Sequence, residues 1–190
     1  MPGRLDGKVA VITGGGHGFG EGIAAKFIQE RAKVVLCDIV DANGKRVANE
    51  LGCVYVHADV SQRSGWEKIL ETAIHRYGKL DIVVNNAGYC HNPTPTTAVT
   101  EVDFDRMVNV NVKSLFHSTN VLLPYFVSHN KPGAYVNVAS ASAKRPRPGL
   151  TWYGASKAAV VNAIGAMASE YASNKIRFNA VNPAAGMTGM

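Results

Sequence analysis

TGGGHGFG, at Thr13–Gly20, is the stretch from which the architecture of this 190-residue chain can be worked out. It follows the β-branched run Val9–Thr13 and leads into a segment with helical periodicity, Gly20–Arg31. A strand, a glycine turn and a helix in this order suit a pyrophosphate, because glycine lets the backbone approach phosphates closely and a helix N-terminus presents unpaired N–H groups. Taken alone, such a turn also occurs in α/β proteins that bind no nucleotide.

The remainder of the chain alternates short apolar runs with stretches of helical periodicity, such as Trp66–Tyr77. The further runs predicted to be strands are Val34–Asp38, Val54–His57, Ile82–Asn85, Tyr135–Val138 and Phe178–Asn182. They are continuously apolar rather than alternating, as expected when helices cover both faces of a parallel sheet. The pattern predicts an α/β fold with a six-stranded, doubly wound parallel sheet of the Rossmann type, forming a single domain over residues 1–190.

The composition fits an ordinary globular protein and argues against several other classes. Hydrophobic residues make up 46% of the chain and charged residues 18%. The 20 basic and 14 acidic residues give a net charge of +6, which favours an anionic ligand or simply aids solubility. No basic run is interleaved with stacking aromatics, so a nucleic-acid partner is not expected. No apolar stretch approaches the roughly 20 residues that span a bilayer, so no membrane association is expected.

The cysteine and histidine pattern indicates neither a disulfide framework nor a metal site. Cys37, Cys53 and Cys90 are widely spaced and form no CxxC pair. The six histidines contain no HExxH motif and no pair one helical turn apart. These features favour a reducing, intracellular compartment, and we expect a cytoplasmic location.

An acidic residue, Asp38, ends the second predicted strand, 18 to 24 positions after the loop glycines. At this spacing a carboxylate can accept a hydrogen bond from the 2′-hydroxyl of an adenosine ribose and repel a 2′-phosphate. The alternative is that Asp38 only starts the turn before Asp41, a common role of aspartate. The glycine loop ahead of it favours the ribose-binding role.

With these features and the motifs further along, the sequence resembles the short-chain dehydrogenase/reductase family over essentially its whole length. Thr13–Gly20 matches the family's TGxxxGxG, and Asp59–Val60 resembles its adenine-contacting pair. NNAG, at Asn85–Gly88, matches the segment that steadies the central sheet beside the cofactor. NPAAGMT, at Asn182–Thr188, resembles the family's PGxxxT, with Ala184 in place of the glycine.

The resemblance implies a nicotinamide dinucleotide as the cofactor. The implied cofactor contacts are Gly14, His17, Gly18, Phe19, Gly20, Asp38, Asp59, Val60, Asn86, Ala87, Gly88, Tyr153, Lys157, Pro183 and Thr188. NADP-preferring relatives often carry a basic residue at the position of His17, but a histidine is mostly neutral at pH 7. The carboxylate of Asp38 is charged at that pH, so NAD is the expected cofactor and NADP the alternative.

Asn111, Ser140, Tyr153 and Lys157 match the family's catalytic tetrad in order and spacing. Tyr153 and Lys157 stand four residues apart in YGASK, so on a helix they share a face and can point into one cleft. The ordinary tyrosine pKa of about 10 is too high for a base near neutrality. A nearby ammonium and an oxidised nicotinamide would favour the phenolate and lower that pKa.

The roles of the other tetrad residues are inferred partly from their position on the strands and partly from the resemblance. Ser140 follows the fifth predicted strand, where its hydroxyl can hydrogen-bond the substrate oxygen. The resemblance implies that Lys157 holds the nicotinamide ribose hydroxyls and that Asn111 fixes a water in a proton relay. Each residue also has a structural alternative as a helix anchor, a solvated side chain, a strand-end cap or a turn former. Their joint occurrence at one edge of one sheet favours catalysis.

The predicted function is that of an NAD-dependent alcohol dehydrogenase or ketone reductase, which transfers hydride reversibly between nicotinamide and a secondary alcohol or its ketone. Tyr153 would exchange the proton of the substrate oxygen. One alternative is a redox-sensing module without turnover, since a sensor needs only the glycine loop. Another is a basic nucleic-acid binder, which the scattered charge does not favour. The resemblance further implies a homodimer or homotetramer.

The C-terminal end departs from the family pattern. Family members usually continue past the threonine at the position of Thr188 through a mobile substrate lid, another helix and a final strand, whereas this sequence ends at Met190. We therefore expect the fold to lack the family's C-terminal lid and last strand, either as a piece of a longer protein or as a protein with an unusually open site. A missing last strand would leave a sheet edge uncovered.

Overall fold

A computed structural model describes residues 3–184 of the chain. The strands are β1 (Val9–Thr13), β2 (Lys33–Asp38), β3 (Val54–His57), β4 (Ile82–Asn85), β5 (Gly133–Val138) and β6 (Ile176–Val181). The helices are α1 (Gly18–Gln29), α2 (Asp41–Leu51), α3 (Arg63–Tyr77), α4 (Glu101–Met107), α5 (Ser114–Ser128) and α6 (Thr151–Glu170). A π-helical segment, Val108–Lys113, joins α4 to α5, and 3₁₀ turns form at Thr96–Ala98 and Ala141–Ala143.

All six strands form one parallel sheet in the order β3-β2-β1-β4-β5-β6. Val11 in β1 pairs with Val35 in β2 on one side and with Val83 in β4 on the other. The chain therefore changes its winding direction between β1 and β4, which opens a crevice at the carboxyl edge of the sheet. The predicted doubly wound parallel sheet is confirmed.

Helices cover both faces of the sheet, which explains why its strands are continuously apolar. On one face, α1 and α2 pack Ala24 and Val47 against the sheet, and Leu36 of β2 lies in the same core. On the other face, α3 and α5 contribute Trp66 and Leu122, with α6 packed beside them. No helix within residues 3–184 has both the length and the apolar character to cross a membrane.

Several elements begin one to three residues before their predicted starts, among them β2 at Lys33, α3 at Arg63 and β6 at Ile176. β5 begins at Gly133, two residues before the predicted start, because Gly133 and the residue after it pair with β6 although they carry almost no apolar signal. A Cβ at Gly133 would lie 3.0 Å from the ring of Phe126, so glycine also gives α5 room to pack. The helix α1 similarly begins two residues earlier than predicted, inside the glycine loop.

Candidate active site

A cleft of about 950 Å³ follows the carboxyl edge of the sheet. Fourteen of the residues predicted from the sequence line it: Gly14, His17, Gly18, Phe19, Asp38, Asp59, Val60, Asn86, Ala87, Gly88, Ser140, Tyr153, Lys157 and Pro183. Gly20 and Asn111 support the walls of the cleft without lining it. Thr188 lies outside the described residues.

The glycine loop has the shape that close contact with a phosphate requires. Gly14 and Gly18 adopt positive φ angles of +61° and +57°, which glycine allows without steric cost. A Cβ on Gly20 would lie 2.1 Å from the carbonyl oxygen of Gly14, so this position needs glycine as well. No side chain caps the first turn of α1, whose N–H groups and partial positive charge lie beside Gly18 in the cleft. The loop therefore fits the pyrophosphate of a dinucleotide.

Asn86 and Thr13 connect the glycine loop to the end of β4. The Asn86 amide donates to the carbonyl oxygens of Thr13 and Gly14 at 2.8 and 3.0 Å. In return, the Thr13 hydroxyl oxygen accepts hydrogen bonds from the backbone N–H groups of Asn86 and Ala87, both at 3.0 Å. Asn86 and Ala87 thus hold the glycine loop at the switch point between β1 and β4.

The carboxylate of Asp38 is buried and anchored by the backbone on both sides. Its Oδ2 accepts a hydrogen bond of 2.9 Å from Gly16 N–H, and its Oδ1 accepts one of 2.9 Å from Val40 N–H. The bond from Val40 N–H corresponds to the turn-forming role that the sequence analysis considered for Asp38. Each carboxylate oxygen has a further lone pair, and Asp38 lines the cleft, so it can also accept a ribose hydroxyl.

Tyr153 and Lys157 lie together on the first turns of α6, opposite the end of β5. Lys157 Nζ lies 5.9 Å from the centre of the Tyr153 ring and donates a hydrogen bond of 2.9 Å to the carbonyl oxygen of Val138. A Cβ on Gly88 would come within 3.2 Å of Lys157 Nζ, so the glycine leaves space for the ammonium. The Ser140 oxygen accepts a hydrogen bond from Ser142 N–H, which leaves its own hydroxyl hydrogen available as a donor.

Burial controls the ionisation of this pair. Desolvation lowers the pKa of the Lys157 ammonium from 10.5 to about 8, because its side chain is almost entirely enclosed. Desolvation also raises the pKa of the Tyr153 phenol above its ordinary value, while the neighbouring Ser140 hydroxyl acts in the opposite direction. The expected lowering of the tyrosine pKa is therefore not produced by the chain's own groups, among which burial outweighs hydrogen bonding.

Asn111 is buried in the π-helical segment between α4 and α5. Its Oδ1 accepts a hydrogen bond of 2.8 Å from Tyr89 N–H, and its amide donates to the Tyr89 carbonyl and the Ser156 hydroxyl at 2.9 and 3.0 Å. Both amide hydrogens are thus used in joining the loop after β4 to α6. Single turns of π-helix occur frequently at functional sites, and this one places Asn111 behind Tyr153 and Lys157.

Tyr89 is a site residue whose connecting role the sequence analysis did not predict. Its hydroxyl donates to Asp103 at 2.5 Å, and the guanidinium of Arg106 lies 4.3 Å from its ring centre. Through its backbone it holds the Asn111 amide, so it connects α4 to the catalytic candidates. A tyrosine directly after N-N-A-G was the available signal, but its partners stand 14 and more residues further along the chain.

Two loops enclose the end of the cleft beyond Tyr153. One follows β4 and the other follows β5, and they meet at the carboxyl edge of the sheet. Thr94 N–H donates to the Gly149 carbonyl at 3.1 Å, and the hydroxyls of Thr96 and Thr151 lie 2.8 Å apart. No cluster of His, Cys, Asp and Glu that could hold a metal ion occurs within the described part of the chain.

Comparison with known proteins agrees with this geometry. The profile of the short chain dehydrogenase family matches residues 8–190. The 4-formylbenzenesulfonate dehydrogenase of Comamonas testosteroni is 43% identical over 98% of this chain and 76% of its own length. The crystal structure of a 3-ketoacyl-(acyl-carrier-protein) reductase from Brucella melitensis, complexed with NADH, has a TM-score of 0.95 and 44% identity, and the match covers 98% of this chain and 79% of that one.

A second solved structure, a short chain dehydrogenase/reductase from Burkholderia phymatum in complex with NAD, has a TM-score of 0.94 and 29% identity. That match covers 98% of this chain and 68% of the other. Sequence and structure therefore agree over nearly the whole chain, and both solved relatives hold a nicotinamide dinucleotide. This chain belongs to the short-chain dehydrogenase/reductase family of oxidoreductases.

Proposed function

We propose that this protein is an NAD(H)-dependent oxidoreductase, which transfers hydride reversibly between a nicotinamide and a secondary alcohol or its ketone. The observation that carries the proposal is that a phosphate-binding glycine loop and the Tyr153–Lys157 pair line the same cleft. A module that only sensed the dinucleotide would have no need of the second feature. The dehydrogenase and reductase named among its relatives support the same class of reaction.

The bound nicotinamide supplies the hydride chemistry, and the protein supplies position and proton transfer. The hydroxyl of Tyr153 donates its proton to the carbonyl oxygen in reduction and takes the alcohol proton in oxidation. The hydroxyl of Ser140 donates a hydrogen bond to that same oxygen and stabilises the charge that develops on it. Lys157 uses one ammonium hydrogen on Val138, which leaves two donors that would hold a ribose hydroxyl of the cofactor and the water of a proton relay.

In our proposal, Asn111 holds the water through which the proton given up by Tyr153 is replaced. Its amide hydrogens are committed to Tyr89 and Ser156. On this side chain, only the remaining Oδ1 lone pair is therefore available to a water that would relay protons from Lys157. This arrangement keeps the relay at a fixed position while Tyr153 changes its protonation state.

NAD is the proposed cofactor, and Asp38 supports it over NADP. A buried carboxylate held by two backbone N–H groups stays in place, so it can accept a ribose hydroxyl but repels a 2′-phosphate. His17 also lines the cleft, at a position where a permanently charged arginine would attract a phosphate. NADH and NAD bound to the two solved relatives are consistent with this choice.

We also propose that the protein forms a homodimer or homotetramer. Apolar side chains on α4 and α5 are unusually exposed: Val102 at 77% and Phe116 at 58%. On α6, a Cβ added at Gly165 would meet nothing within 4 Å, so a neighbouring subunit has room to approach closely. Light scattering after size exclusion tests this assembly directly, and a monomer at micromolar concentration would contradict it.

Parallel titrations with NADH and NADPH at low salt, followed by nicotinamide fluorescence, test the proposed function. We expect NADH to bind at least about tenfold more tightly, which corresponds to about 1.4 kcal/mol. Equal or tighter binding of NADPH would contradict the role given to Asp38. Binding of neither cofactor would contradict the proposed function itself.

A further inference from the structure

Arg46, on α2, is held by two glutamates directly behind the glycine loop. Its guanidinium contacts Glu21 through both terminal nitrogens, at 3.0 and 3.2 Å, and Glu50 through Nη1 at 2.9 Å. The contact with Glu21 is bidentate, the geometry in which arginine binds carboxylates most specifically. Glu21 lies on α1 and Glu50 on α2, so the three side chains, which we call the Arg46 clamp, join these helices.

A single glycine separates the Arg46 clamp from Asp38. Arg46 Nη2 donates to the carbonyl oxygen of Gly16 at 3.3 Å, while the N–H of the same glycine donates to Asp38 Oδ2 at 2.9 Å. A Cβ on Gly16 would lie 2.8 Å from that carboxylate oxygen, so nothing bulky fits between them. The guanidinium is therefore a near neighbour of the carboxylate that we assign to the adenosine ribose.

Two other basic side chains near this end of the cleft contact one carboxylate, that of Asp41. Lys45 Nζ lies 3.1 Å from an Asp41 oxygen, and His57 Nδ1 lies 2.8 Å from the other oxygen of that carboxylate. With its three acids and one guanidinium, the group formed by Asp38 and the Arg46 clamp is negatively charged, although the whole chain carries a charge of +6. A 2′-phosphate placed against Asp38 would therefore meet an excess of carboxylates in this group.

We propose that the Arg46 clamp is a second determinant of cofactor choice: Glu21 and Glu50 withhold from a 2′-phosphate the guanidinium that would otherwise bind it. This inference rests on the proposed function and assigns a specificity role to residues outside the nicotinamide site. Arginine binds phosphate with the same bidentate geometry that it uses here for Glu21. Releasing it would leave an unpaired positive charge one residue away from Asp38, which would attract a 2′-phosphate.

The test is a cycle of four proteins: wild type, Glu21→Gln/Glu50→Gln, Arg46→Met, and the three substitutions together. Dissociation constants for NADH and NADPH are measured for each protein by nicotinamide fluorescence. We expect Glu21→Gln/Glu50→Gln to shift the ratio of the two constants towards NADPH by at least about tenfold. Adding Arg46→Met must remove most of that shift, because the attraction comes from the released guanidinium.

A matched control distinguishes the effect of the clamp on cofactor choice from the effect of overall charge. Glu67→Gln/Glu71→Gln, on the exposed face of α3, also removes two negative charges. One of them, Glu67, is paired with Arg63 at 2.8 Å. We expect it to leave the ratio within about twofold of wild type. A ratio that does not change in Glu21→Gln/Glu50→Gln, or a shift that survives Arg46→Met, would overturn the proposal. A wild type that binds neither cofactor would overturn the proposed function and this inference together, so the two failures can be told apart.

Discussion

Lys157 donates a hydrogen bond of 2.9 Å to the backbone carbonyl of Val138, at the point where β5 ends. This bond holds a nearly enclosed ammonium beside Tyr153 and joins α6 to the sheet. A buried ammonium loses hydration, and one backbone carbonyl replaces only part of what is lost. A charged Lys157 at this position therefore lowers the stability of the fold.

Replacing Lys157 with methionine should stabilise the protein at pH 7. The folded-state pKa of about 8 lies below the ordinary value of 10.5, so below pH 8 the charged side chain carries its full burial cost. Between pH 8 and 10.5 the folded wild type releases this proton while the unfolded chain keeps it, and the cost disappears. We expect the melting temperature of Lys157→Met to exceed that of wild type by several degrees at pH 7 and by little at pH 10.5.

Thermal unfolding of both proteins at the two pH values measures this effect. Lys144→Met, at an exposed position, is the control and should leave the difference from wild type the same at both pH values. Other groups that titrate in alkali affect all three proteins alike, so only the differences count. A Lys157→Met protein that is less stable than wild type at pH 7 would show that the Val138 hydrogen bond outweighs burial.

Two glycines on α1 should respond in opposite ways to alanine. In Gly20→Ala the new methyl would lie 2.1 Å from the Gly14 carbonyl oxygen, so the glycine loop must move and NADH binding should be lost. In Gly22→Ala the methyl meets nothing within 4 Å, and the helix should gain about 0.5–1 kcal/mol. NADH titration and urea unfolding of both variants measure the effects. Equal NADH affinity in the two proteins would contradict the role of the loop.

Asn86 should matter for both stability and cofactor affinity. Asn86→Ala leaves the carbonyl oxygens of Thr13 and Gly14 without their amide donor, which should destabilise the protein by about 1–3 kcal/mol. The glycine loop then loses its fixed position, and NADH affinity should fall by about tenfold. Asn120→Ala is the control, since Asn120 donates only to Phe116 on the exposed side of α5. If both variants bound NADH like wild type, the bonds of Asn86 would have no part in holding the loop.

The sequence predicted the sheet well because its strands are buried on both faces. The observed bounds of β1, β3 and β4 are those expected from their apolar runs. Element ends were less accurate where residues such as Gly133 carry no apolar side chain, or where Gly18 begins a helix that the pattern placed two residues later. The position of each motif along the strands was enough to bring the predicted residues to one edge.

Contacts between distant side chains were beyond the reach of the sequence. The spacing of Tyr89 and Asn111 does not indicate that the Tyr89 backbone binds the Asn111 side chain. The π-helical segment has no sequence signature of its own. The Arg46 clamp is another example, because it depends on α1 and α2 lying side by side. The raised pKa of Tyr153 follows from the extent of burial, which a spacing of four residues does not reveal. The catalytic roles and a cytoplasmic location stay predictions.

The central claim is tested most directly by ketone-dependent oxidation of NADH in wild type and in Tyr153→Phe. The substitution removes only the hydroxyl, so the ring should keep its packing while the proton donor is lost. With a panel of ketones and aldehydes, we predict turnover by wild type and a decrease of about 10²–10⁴-fold in kcat for the variant, with NADH still bound. Turnover by Tyr153→Phe at the wild-type rate, or NADH binding by wild type without turnover of any carbonyl compound, would contradict the account.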